Sequence, residues 1–194
     1  MKRNLVILFI ILGYRSIKAN DTIQKFPEYL LPDHIKIQFA GNIGFFSAGL
    51  GYEFFNNRLS SDILVGYVPT TITDETIINI VFKNTVRLFN LNRRNPDRMF
   101  TTFSFSTNFE TGNNSFFILP DKYPDGYYST KAITFGLNLG FVYRGNYKER
   151  KFFRQFEYYA EAGTLATYLY YNIKRKDYLN PDIFSLALGI NIKI

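Results

Sequence analysis

Residues 184–194 read FSLALGINIKI. One set of positions holds Phe184, Leu186, Leu188, Ile190, Ile192 and Ile194; the other holds Ser185, Ala187, Gly189, Asn191 and Lys193. Successive side chains of a strand point to opposite faces, whereas a helix repeats every 3.6 residues. An unbroken two-residue alternation of this length therefore describes a β-strand. One of its faces is apolar and the other small or polar.

The pattern recurs seven times upstream. Ile35, Ile37 and Phe39 alternate with Lys36, Gln38 and Ala40, and Phe46 to Phe54 alternates with Ser47, Gly49, Gly51 and Glu53. Leu59, Ile63, Val65 and Tyr67 oppose Ser60, Asp62 and Gly66, and Ile78 to Leu88 opposes Asn79, Lys83, Thr85 and Arg87. Phe103, Phe105 and Phe109 share a face, as do Ile133 to Tyr143 and Phe156 to Tyr168. Turn chemistry separates the runs: Gly41-Asn42, Asn56-Asn57, the polar stretch 69–75, then 90–98, 111–128, 145–151 and 172–181. Beyond the N-terminal segment no stretch has helical periodicity and no composition shift marks a domain boundary.

Volume decides which face points inward. The interior of an eight-stranded barrel is only just wide enough for side chains to fill. Aromatic residues form 19% of the chain, 21 Phe and 15 Tyr, too much bulk for that interior. The Gly-, Ser-, Thr- and Ala-rich face fits, so the apolar face points outward, and lipid tolerates it there. Two packed sheets burying their apolar faces against each other satisfy the same alternation.

The first residues, MKRNLVILFIILGYRSIKA, place Lys2 and Arg3 before an apolar run, Leu5 to Leu12, and end on Ala19. This is the layout of a secretory signal peptide. The apolar run is well short of the roughly 20 residues a spanning helix needs. The expected organisation is a signal peptide over 1–19, an N-terminal periplasmic segment over 20–33 and a barrel over 34–194. The export signal and the unbroken terminal strand favour the membrane barrel over the soluble sandwich. The formal net charge is +7, but Lys2, Arg3, Arg15 and Lys18 lie in the signal, leaving +3 on the rest. That charge supports no nucleic-acid partner. The chain has no cysteine and one histidine, so thiolate chemistry and multi-histidine metal sites are excluded, and no metal or cofactor is expected.

The export signal, eight alternating strands and the terminal LALGINIKI resemble a small eight-stranded bacterial outer-membrane β-barrel. The pattern is similar to envelope barrels that carry stretches like SSDILVGYVP and PDKYPDGYY, and it covers residues 33–194. The resemblance implies an up-and-down antiparallel transmembrane meander in the bacterial outer membrane, in contact with outer-membrane lipids and lipopolysaccharide. It also implies insertion by the outer-membrane assembly machinery, which reads a terminal strand ending in an aromatic residue; here the last residue is Ile194. With both termini periplasmic, 41–44, 69–76, 111–128 and 172–181 are the external connections.

Three features are candidates for function. His34 is the one imidazole available to a lipid A deacylase or acyltransferase, which would need a serine and an acid beside it. Its place at the start of the first strand predicts a solvated position near the periplasmic rim, without catalysis. Lys36, Glu53, Asp62, Lys83, Arg87, Glu110, Arg144, Glu157, Glu161 and Lys193 all fall on the inward face, five acids and five bases. Unpaired charge is costly in a low-dielectric lumen, so the balance predicts mutual pairing in a packed polar plug. Loop 111–128 joins an apolar cluster to a double-proline turn. Its Phe116, Phe117, Tyr123 and Tyr127 are candidate anchors for a protein partner at the external loops, unless the segment continues a strand and folds over the barrel mouth. The reading is a non-enzymatic barrel with a structural or accessory role in the envelope, with the lipid A-modifying enzyme as the alternative.

Overall fold

The computed structural model describes residues 31–91, 98–111, 132–145, 155–174 and 181–194. Eight strands form where the alternation predicts them: β1 His34–Ala40, β2 Phe46–Phe54, β3 Leu59–Val68, β4 Ile77–Asn90, β5 Met99–Thr111, β6 Ile133–Arg144, β7 Gln155–Leu165 and β8 Ser185–Lys193. Each pairs antiparallel with the next, and β1 pairs with β8 through His34↔Lys193, Ile37↔Ile190 and Ala40↔Ala187, so the sheet is a closed meander barrel. Closure leaves no edge strand; unpaired backbone is confined to strand ends. No described helix is long and apolar enough to cross a membrane, which has no bearing on strands.

The two faces separate as the volume argument requires. Every strand sends large apolar side chains outward: Phe39, Leu50, Ile63, Ile80, Phe105, Leu139, Tyr158 and Leu188 are all exposed. The inward positions are buried and mostly polar, among them His34, Gln38, Asp62, Lys83, Ser104 and Glu157. The polarity of a water-soluble domain is thus inverted. The buried apolar groups are few. Ile43, Leu64 and Val81 cluster near the β1–β2 turn, and Phe100, Val142 and Tyr159 form a second group.

Two turns position the lumen. At the β1–β2 turn, Gly41 (φ +92°) and Gly44 (φ +146°) flank Ile43, which turns inward and is fully buried. Asn79 Nδ2 donates to the Ile43 carbonyl (3.2 Å), and Asn42 Nδ2 reaches the Thr164 carbonyl (3.4 Å). The turn therefore folds into the mouth rather than away from it. At the opposite end, where the barrel's chain termini lie, Phe55, Asn56 and Asn57 are all left-handed (φ 54°, 55° and 63°). The Arg58 N–H donates to the Phe55 carbonyl (3.3 Å), closing the tight hairpin that Asn-Asn predicts.

One expectation is corrected. Ala166 and Tyr168 were expected to continue strand seven, and no helix was expected. The structure instead ends β7 at Leu165 and places a helix, α1, over Ala166–Lys174, beside β6 and β7. On the β8 side the ladder ends before Ala166, because β8 begins at Ser185. β8 pairs no further than Gly163↔Ser185, and β6 no further than Gly136↔Leu165. With no β8 partner, a run free of Gly and Pro leaves the sheet and closes its own backbone hydrogen bonds, although β6 continues to Ile133, and Lys174 complements the helix C-terminus. A 3₁₀ turn, Pro181–Ile183, leads into β8. A second irregularity is a register shift between Arg87 and Asn90 of β4, which leaves Leu88 and Phe89 exposed at the terminal end.

The left-handed turn yields a stability test. A β-branched side chain at φ 63° is strongly disfavoured, so Asn57→Val should cost about 1–2 kcal/mol, whereas Asn57→Gly should be close to neutral. Equilibrium urea unfolding of the chain folded in detergent measures both; equal losses would contradict the turn geometry.

Candidate functional site

Among the described residues, chemistry-bearing side chains converge in the lumen, which is built in layers by strand register. His34 and Lys36 on β1 lie one row apart, facing inward with Asp62 on β3. The His34 Nε2–H donates to Asp62 Oδ1 (2.7 Å), Lys36 Nζ donates to Asp62 Oδ2, and Ser60 Oγ donates to Asp62 Oδ1 (3.1 Å). One fully buried carboxylate thus receives an imidazole, an ammonium and a hydroxyl. The pair depends on Gly51, which lies between His34 and Asp62 in the register. A Cβ there would sit 2.1 Å from Asp62 Oδ1 and 2.3 Å from His34 Nε2.

The next group is centred on Lys83 and Tyr159. Lys83 Nζ donates to Glu161 Oε2 and to Gln38 Oε1 (3.2 Å). The Tyr159 hydroxyl donates to the same Gln38 oxygen (3.1 Å). Ser104 Oγ donates to Glu161 Oε1 (3.2 Å) and meets Thr85 Oγ1 (3.1 Å). Two ammonium groups lie over the Tyr159 ring, Lys36 at 5.4 Å and Lys83 at 5.6 Å from its centroid, so the ring joins the first group to the second by cation–π attraction.

Nearest the terminal end, Glu157 holds Arg87 Nη2 (3.1 Å) and Arg144 through both Nε (3.0 Å) and Nη2 (2.8 Å). Glu53 holds Arg87 (3.1 Å) and pairs with Lys193, which lies 3.8 Å from Glu157. Asn191 Nδ2 also donates to Glu157 (3.3 Å). Of the ten inward charges named from the sequence, nine therefore meet in these three groups. Glu110 is the exception: the β4–β5 register places it at the opposite mouth, beside Asn79, where it lines a cavity of about 340 Å³ with Gly41 and Asn42.

The position expected for His34 is corrected. It is fully buried rather than solvated at the rim, because the strands are staggered around the barrel. Lys193 of the adjacent β8 and Asp62 of β3, the latter from across the lumen, enclose the start of β1. Among the described residues its ring bonds Asp62 alone, through Nε2, and Nδ1 meets no hydroxyl. An imidazole in contact with an acid and no nucleophile has the orienting half of a hydrolytic triad and not the reacting half. Phe116, Phe117, Tyr123 and Tyr127 lie outside the described residues, as do residues 1–30. The sequence reading missed Gln38, Tyr159 and Ser104 as members of the network. Gln38 and Ser104 had the inward parity that marks such residues, but they carry no charge. Tyr159 is masked by its neighbour Tyr158, because the doublet puts an aromatic ring on each face.

Chemically, the arrangement is a packed plug. His34, Gln38, Asp62, Lys83 and Glu157 are at most 1% exposed, so water-sized space does not reach them. Each carboxylate of the network is met by cations from other strands, which offsets the desolvation that burial imposes. No protein-family model, curated protein or solved structure matches the chain.

Removing one member of a buried pair leaves its partner uncompensated. Asp62→Asn should therefore destabilise the barrel by about 3–5 kcal/mol, and Lys36→Met added to it should recover much of that loss. Urea unfolding reads both variants. A double variant less stable than the single would show that the pair is not the source of the effect.

Proposed function

We propose that this chain is a membrane-spanning barrel of the bacterial outer membrane, exported through its N-terminal signal and inserted by the outer-membrane assembly machinery. Its role is structural or accessory, and it does no covalent chemistry. The observation that carries the reading is the continuous outward face of exposed Phe, Leu, Ile, Val and Tyr contributed by all eight strands. In water such a surface would drive aggregation, whereas hydrocarbon and lipopolysaccharide acyl chains solvate it. β2, β3, β6, β7 and β8 are 9, 10, 12, 11 and 9 residues long, and a tilted strand of about 9–11 residues crosses a hydrocarbon core. Closure satisfies the strand backbones from within, as a lipid environment demands.

The packed lumen supports a scaffold rather than a channel. The ion pairs that fill it leave no room for hydrated ions in its middle layers. The imidazole's surroundings support the non-enzymatic reading over lipid modification, since His34 contacts a carboxylate and no hydroxyl.

The test is biochemical. The chain should fractionate with outer membranes, migrate differently on gels before and after boiling, and give no stepwise conductance in planar bilayers. Leu139, exposed near the middle of β6, is the discriminating site. Leu139→Arg should lower folding stability in lipid vesicles by about 2–4 kcal/mol, the cost of a cation at the bilayer midplane. A soluble periplasmic monomer, or an arginine tolerated at no cost, would overturn the reading.

A further inference from the structure

A cavity of about 860 Å³ opens at the end of the barrel that carries its chain termini. Its lining includes Arg58, Arg87, Arg144, Asn57, Phe55 and Phe100. Three properties of this lining point the same way. The first is charge. Arg87, Arg144 and Lys193 share two carboxylates, Glu53 and Glu157, and Arg58 adds a fourth cation that forms no ion pair among the described residues. The group therefore carries two positive charges in excess. The cations are also the accessible partners: the side chains of Arg87 and Arg144 are 20% and 16% exposed, while Glu157 behind them is 1% exposed. A ligand entering the cavity meets guanidinium groups before it meets carboxylates.

The second property is preorganisation. Arg87 is held by Glu53 and Glu157 and lies 4.3 Å over the Phe100 ring; Arg144 is held by Glu157 through two nitrogens. The Arg58 carbonyl accepts the Arg87 N–H (2.9 Å), which ties the β2–β3 turn to this wall. Fixed guanidinium groups lose little entropy on binding, and their planar forks suit phosphate oxygens. The third is size. The volume far exceeds that of a bare anion and falls in the range of about 300–1,000 Å³ seen for organic ligands. Phe55 and Phe100 offer apolar surface to an organic portion.

We infer that this cavity binds an organic phosphate monoester. A dianionic phosphate matches the two excess charges, where a single carboxylate would match one. The same chemistry exists in a soluble sugar phosphate and in a lipid with a phosphomonoester headgroup, and the site lies at a rim that both could reach.

The experiment uses the full chain folded in uncharged detergent and isothermal titration calorimetry. One arm titrates glucose 6-phosphate, the other dihexanoyl phosphatidic acid, with dihexanoyl phosphatidylcholine as the control lipid. Saturable binding in at least one phosphomonoester arm is expected, with phosphatidylcholine weaker. Binding of the sugar phosphate assigns a soluble source, and binding of the lipid alone assigns a headgroup. Arg58→Gln, at an exposed turn position outside the ion-pair network, should weaken binding about tenfold, or about 1.4 kcal/mol, without shifting the urea midpoint. Arg144→Gln should weaken it further if the variant folds; if it does not, Arg58→Gln decides alone. No saturable binding in either arm, phosphatidylcholine binding as tightly as phosphatidic acid, or affinity unchanged by Arg58→Gln would each overturn the inference.

Discussion

A closed ring of eight strands encloses about as much space as its own inward side chains occupy. That limit organises the rest of this molecule. Bulky side chains go outward by default, and whatever points inward must pack against the far wall. The inward set is rich in charge, so packing and pairing become the same problem. The solutions cross the lumen: His34 on β1 reaches Asp62 on β3, Lys83 on β4 reaches Glu161 on β7, and Arg87 on β4 reaches both Glu53 on β2 and Glu157 on β7. Such contacts specify strand register as well as filling volume. A one-residue slip of any strand would turn its charged row toward the outside and its apolar row into the lumen.

The two ends of the lumen are finished differently. At the β1–β2 end the turn itself enters the barrel, and Ile43 packs on Leu64 and Val81. At the other end the arginines close over Phe100. An apolar stopper and a cationic one thus bracket a mid-lumen layer in which Lys36 and Lys83 balance Asp62 and Glu161. The asymmetry gives the barrel two chemically distinct faces along its axis.

Much of this was legible in the sequence because the signal has period two. Strand existence, the meander and the inward side of the ten charged residues named follow from parity and volume. Depth along the axis was not legible. Parity says that His34 and Glu110 face inward, but the stagger around the ring decides that one is buried in the network and the other lies at the opposite mouth. Partner identity was hidden for the same reason, since Lys83 and Glu161 lie far apart in sequence and meet only through closure. The helix α1 was missed because Ala166 and Tyr168 extend the alternation past the point where β8 remains to pair with it. A two-residue pattern reports what a strand would bury. It does not report whether a strand is there to pair on both sides.

The seam between β1 and β8 has a kinetic consequence. The first strand pairs along its whole length with residues 187–193 of the last, and Lys193 of the last strand pairs with Glu53 of the second. These are the longest-range contacts in the fold, and the loop they close is the whole intervening chain. Hairpins such as β2–β3 and β4–β5 form from neighbours in sequence. The ring, however, cannot shut until every strand is in place. High contact order of this kind makes folding slow, and an unclosed intermediate would expose two open edges and a row of half-paired charges. Closure therefore acts as a single late step that completes hydrogen bonding and charge compensation together, so loss of the seam would release both at once.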